Sequence, residues 1–280
     1  ISKVLKEKFT ALGLAITEDD AAAKTGHGAN NLFAMLESSN AGNLTFGSTV
    51  DGGFDLRLNT AGVTVFNAPV GFIVPLMSIT TDAQGSTQLN AGNVKTVAAQ
   101  TFNDPVALLK DTTLASTALG DVSFNNKLDG AFALTVNTGG KTVFNNQVGS
   151  TTALTSITTD APGTVQFQDT GTVAAGATPL VTIKTSGAQT YNDQALLASD
   201  TTFAGGADVI FNNRIDGAFN LTVNTAGQTQ FNDQIGVAAR LKTITTDATG
   251  TVRFKDTVGT TAGGVTTYAI KVYTTGAQAF

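Results

Sequence analysis

The chain has 280 residues, and only 13% of them are charged, about half the usual share. It contains no Cys, which excludes disulfides, thiolate metal sites and a Cys nucleophile. The net charge of −5, with Lys and Arg scattered, leaves no basic footprint for nucleic acid.

Residues 1–40 differ from the rest. All three Glu residues (Glu7, Glu18, Glu37) and four Lys lie there. In the first stretch Val4, Leu5, Phe9 and Leu12 share one helical face, with Gly13 as a stop. A second candidate helix covers Asn30 to Ser39, with Leu32, Phe33 and Leu36 on one side. The polar stretch from Thr17 to Gly28 reads as a loop carrying His27, the one histidine. We therefore expect a helical cap or boundary segment over 1–40, because a solenoid must shield the open end of its core. The chain begins at Ile1 without Met and stops at Phe280 within a repeat phrase, so it reads as a window in something longer. The longest apolar stretch, Gly71 to Met77, is far short of a membrane span.

From 41 to 280 the pattern is strand and repeat. A phrase Gly-x-x-x-Phe/Tyr-Asn ends at Asn67, Asn145, Asn192 and Asn232, with variants around Phe46, Phe124, Phe167, Phe254 and Phe280. Larger units are nested over it. Asp51-Gly-Gly-Phe54 returns as Asp129-Gly-Ala-Phe132 and Asp216-Gly-Ala-Phe219, at spacings of 78 and 87 residues. The Ile-Thr-Thr-Asp-Ala phrases from Ile79, Ile157 and Ile244 keep the same spacings, which divides the chain into superrepeats 42–119, 120–207 and 208–280. Units this short bury a core only by stacking, which implies a solenoid. One step, Leu89 to Phe102, is 13 residues and too short for a coil.

Alternation places Phe66, Phe124, Phe144, Phe167, Tyr191, Phe211, Phe231 and Phe254 inward as an aromatic ladder. The Asn that follows (Asn67, Asn125, Asn145, Asn192, Asn212, Asn232) suits a bend, and its amide can bond to the Asn one coil away. Three short strands and three bends per turn describe an all-β parallel β-helix of about 11 or 12 coils, roughly 55 Å long. Three consecutive β-sandwiches are the alternative, but their strands would not be near-copies of one another.

The phrases GAQTYND (Gly187 to Asp193), SITTDAQGSTQLN (Ser78 to Asn90), LTVNTGGKTVFNNQVG (Leu134 to Gly149) and SDTTFAGGADVIF (Ser199 to Phe211) resemble filamentous-haemagglutinin-like bacterial surface proteins, the giant adhesins with β-strand repeats. The resemblance covers 42–280 and implies an extracellular right-handed β-helical stalk used in adhesion, aggregation or surface layers. It brings no catalytic residues with it.

Candidate chemistry is sparse. His27 has no second His or Cys beside it in the sequence and reads as a surface residue. Asp82, Asp160 and Asp247 occupy equivalent turns and are weak Ca²⁺ candidates, although capping of their own turns explains them better. The pairs Asn103-Asp104, Asn192-Asp193 and Asn232-Asp233 evoke carbohydrate-cleaving β-helices, but Arg57, Arg214, Arg240 and Arg253 are dispersed. Paired threonines such as Thr80-Thr81 follow from strand propensity rather than from an ice-binding array. The expected function is non-enzymatic and without cofactor: an adhesin stalk, or alternatively a self-assembling matrix, filament or surface-layer subunit. Its partners would be copies of itself or cell-surface components, with neither nucleic acid nor a membrane span.

Overall fold

The structure, a computed structural model, describes residues 14–17, 32–38, 42–171, 179–256, 260–262, 265–267 and 269–280. Successive strands run around a three-sided prism and pair in parallel with the strand one turn away, except for the antiparallel strand Leu14–Thr17 and the antiparallel pair Thr260–Ala262 and Val265–Thr267. Face A runs from Leu32–Ser38 through Phe54–Asn59 and Ser78–Thr81 to Ile215–Asp216. Face B consists of two five-stranded sheets, one ending at Leu128–Asp129 and one starting at Leu180–Thr185, joined through bridges from Val148 to Leu128 and Ile183. Face C holds eight strands from Asn93–Thr96 to Thr251–Phe254. Alternation drives this. In Ala133–Thr138 the side chains of Leu134, Val136 and Thr138 are buried while Asn137 is exposed.

The result is a parallel β-solenoid of about nine turns. That is fewer than expected, because a turn is not always 20 residues. Phe124 pairs with Phe144 after 20, but Phe167 pairs with Leu197 after 30. A second correction concerns the N-terminal region. Leu32–Ser38 is a strand, paired in parallel with Phe54–Asn59 and antiparallel with Leu14–Thr17, not a helix. The open edge of face A offers a row of backbone partners, and such tertiary pairing overrides a weak helical pattern. The other candidate helix, Val4 to Leu12, and His27 lie outside the described residues.

Equivalent phrases do not stack on one another from superrepeat to superrepeat. Leu56, Ile79, Gln100 and Val122 succeed one another on face A, whereas Leu134, the counterpart of Leu56, stands on face C. Leu221, the third counterpart, is on face B. Each superrepeat therefore takes eleven sides of the prism, one short of four turns. It repeats by rotating a third of a turn and rising roughly 18 Å.

This explains the 13-residue step. Between Leu89 on face B and Phe102 on face A the chain makes two sides, not a coil. The aromatic ladder is accordingly three columns. Phe46, Phe66 and Leu89 stack on face B; Phe102, Phe124, Phe144 and Phe167 on face A; Tyr191, Phe211, Phe231 and Phe254 on face C. Within a column rings stack, as for Phe124 and Phe144 at 5.5 Å and 3°. Where one column hands over to the next they meet edge-on, Phe167 to Tyr191 at 5.3 Å and 87°. All of these rings are buried except the end members: Phe46 is half-buried and Phe254 is 39% exposed.

Candidate interaction surface

Side chains that join coil to coil must be separated from those free to meet a partner. The asparagines belong mainly to the first group. Asn90 donates to Asn67 at the bend between faces B and C; Asn145 to Asn125, and Asn125 to Asn103, between A and B. Asn232 donates to Asn212, and Asn212 to Asn192, between C and A, both at 2.7 Å. Each of the later two ladders starts on a threonine carbonyl: Asn103 on Thr81 and Asn192 on Thr159, at 2.6 Å.

The three Ca²⁺ candidates lie at three different corners of the prism. Asp82 lies between faces A and B, Asp160 between C and A, Asp247 between B and C. Each serves its own turn or the one beside it. Asp82 accepts from Thr60 N at 3.2 Å, Asp160 from Thr138 N at 2.8 Å, and Asp247 from Thr249 Oγ1 at 2.6 Å. Among the described residues no three His, Cys, Asp or Glu side chains come together. The arginines are spread as well. Arg57 is on face A, Arg253 on face C, Arg240 over the Tyr273 ring, and Arg214 beside Asp216 at 3.4 Å.

Sequence reading missed two inward polar groups. Gln100 and Gln189 are fully buried, and each amide reaches carbonyl oxygens of its own and the next coil. The signal was the recurring Ala-Gln-Thr/Ala-Phe/Tyr phrase at 100, 189 and 278. Asp104 and Asp193 also turn inward, whereas Asp233 is half-buried and accepts from Gln234 N. Burial raises the Asp104 carboxyl above its ordinary range, and hydroxyls from Thr81 and Thr87 pull it back. Burial pushes the Asp193 carboxyl up to about 7, with partial relief from Thr159 and a further rise from Asp160.

What faces outward is a set of three equivalent corner loops, residues 71–77, 149–155 and 236–242. Each opens on a glycine with positive φ, Gly71 at 66°, Gly149 at 70° and Gly236 at 71°. A Cβ there would strike the carbonyl of Lys95, Lys184 or Tyr273 in the next coil, so glycine is required. An aspartate clamps each loop. Asp51 accepts from Ile73 N and Val74 N, Asp129 from Thr151 N and Thr152 N, and Asp216 from Ala238 N and Ala239 N, all at 2.7 to 3.2 Å. Carboxylate bonds to paired amides fix a loop in one conformation. The tips differ in chemistry: Phe72-Ile73-Val74 is apolar and up to 76% exposed, Ser150-Thr151-Thr152 is hydroxylic, and Val237-Ala238-Ala239 is small and apolar. Because superrepeats rotate, the loops stand at the C–A, B–C and A–B corners in turn. No protein-family model matches this chain, and neither the curated proteins nor the solved structures give a match.

Proposed function

We propose that the chain is the structural rod of a secreted bacterial surface protein, acting as an adhesin stalk in cell-surface attachment or aggregation. The observation that supports this reading is the three clamped corner loops on a scaffold whose Phe, Asn and Gln side chains are engaged between coils. A stalk needs stiffness along its axis and contact points off it. Coil-to-coil bonds supply the first, and fixed loops, which lose little entropy on contact, supply the second. A second reading, a self-assembling matrix, filament or surface-layer subunit, gains from the loops at three successive corners, which let one rod touch neighbours on three sides.

Electron microscopy of the purified native material separates the two. Isolated rods support the stalk, whereas regular lattices or lateral filaments sink it and favour the matrix. Protease shaving of intact cells checks the location: release of fragments of this chain is expected, and full protection would overturn the surface assignment.

A further inference from the structure

Two buried carboxyls stand in equivalent places and differ by one hydroxyl. Asp104 and Asp193 end the phrases Phe102-Asn103-Asp104 and Tyr191-Asn192-Asp193 and are 2% and 1% exposed. Asp104 accepts from Thr81 Oγ1 at 2.6 Å and from Thr87 Oγ1 at 2.8 Å. Around Asp193 the counterpart of Thr81 is Thr159, but the counterpart of Thr87 is Val165. A donor is thus replaced by a methyl group. Neither oxygen of Asp193 accepts a hydrogen bond of good geometry, and Thr159 Oγ1, near enough to hold the carboxyl down in part, is also without a well-aligned partner.

A Cβ on Gly163 would lie 2.7 Å from Asp193 Oδ1, so the bare Gly163 backbone closes over the carboxyl and brings no side-chain donor to it. A buried carboxyl with no well-placed donor favours the form that keeps its proton. The charged side chains on the flanking coils at this corner are Asp160 before and Arg214 after. Arg214 is turned to Asp216 and, at 3.0 Å, to Gln194, which leaves Asp160 to oppose ionisation.

We propose that Asp193 carries a proton in the folded rod, and that losing it loosens the joint between the coil of Ser156–Thr159 and the coil of Gln189–Tyr191. The joint is sensitive because Asn192, the next residue, ties the two coils through Thr159 O. With the folded carboxyl near 7 and its ordinary value at 3.8, the folded chain holds a proton that the unfolded chain has released. Stability is therefore greatest in acid and falls as pH rises through that window, levelling off above it. From pH 5 to pH 8 the opening constant of this joint rises roughly a hundredfold.

The test is a carboxyl ¹³C NMR titration of the full chain, with Asp193 assigned by its loss in Asp193→Asn, together with amide hydrogen exchange over 190–198 corrected for intrinsic rates. The expected results are a midpoint near 7, opening that increases with pH, and no such increase in Asp193→Asn. Val165→Thr, which restores the missing hydroxyl, lowers the midpoint and shrinks the effect. An Asp193 midpoint near 4, or a pH effect that survives in Asp193→Asn, overturns the proposal. So does recovery of protection at pH 8 on adding Na⁺ or Ca²⁺, which would mean that a cation occupies the place assigned to the proton. Should Asp193→Asn fail to fold, the natural chain and Val165→Thr decide: an unchanged Val165→Thr midpoint then overturns it.

Discussion

Gln100 Nε2 donates to the carbonyl oxygen of Ala115 at 2.9 Å, tying a buried amide in one coil to the backbone of the next. The same group meets Val94 O and Thr96 Oγ1, and Gln189 repeats the set with Ala204 O, Ile183 O and Thr185 Oγ1. Both glutamines stand where the aromatic column changes face, so they lock the seam between one column and the next. Replacing Gln189 by the similarly sized Leu leaves three acceptors without their donor and should cost about 2–3 kcal/mol. Urea unfolding followed by circular dichroism checks this. A midpoint unchanged from the natural chain would show that the seam does not depend on the amide.

The loop clamps make a local prediction. In Asp129→Ala the amides of Thr151 and Thr152 lose their acceptor. Residues 150–153 should become the first site of proteolytic nicking, with a stability loss of about 1 kcal/mol. Limited proteolysis with fragment mass spectrometry reads the site directly, and cleavage that begins elsewhere would contradict the clamp.

Leu119 is the one non-glycine among the described residues with positive φ, at 61°, and it is 70% exposed. Leu119→Gly relieves the left-handed strain and should stabilise the chain by about 1 kcal/mol, seen as a higher urea midpoint. A lower midpoint would mean that the Leu119 side chain, which lies over Gly139, contributes more than its backbone costs.

Much of the fold was legible in the sequence because alternation and periodicity are direct consequences of strand geometry. Thr142-Val143-Phe144 reads as a strand in any register, and Phe124, Phe144 and Phe167 lie on one another as their spacing suggests. The face on which a phrase lies was not legible. Similar phrases attract the reading that they stack, yet Phe167 lies beside Leu197, and Tyr191 beside Thr159. The remainder, two sides hidden in a 13-residue step, appears only once strands are counted around the prism. The inward Gln100 and Asp193 were missed for another reason. Hydropathy places such residues outside, and only the carbonyl or hydroxyl partners supplied by neighbouring coils reveal where they go. Leu32–Ser38 was misread because its strand partner, Phe54–Asn59, lies one turn away in the chain.

The central claim is that the superrepeat is one side short of four turns, and pyrene labelling of cysteine pairs tests it most directly in a chain that has no cysteine of its own. Thr190 pairs with Thr158 on face C, while Gln166 pairs with Leu196 on face A. If equivalent phrases stacked, Thr190 would instead lie beside Gln166. Two double variants, Thr158→Cys with Thr190→Cys and Gln166→Cys with Thr190→Cys, are labelled with pyrene and read for excimer emission. The rotated solenoid predicts strong excimer from the first pair and little from the second. Strong excimer from the second pair, with none from the first, would contradict the rotation and the placement of the corner loops that follows from it.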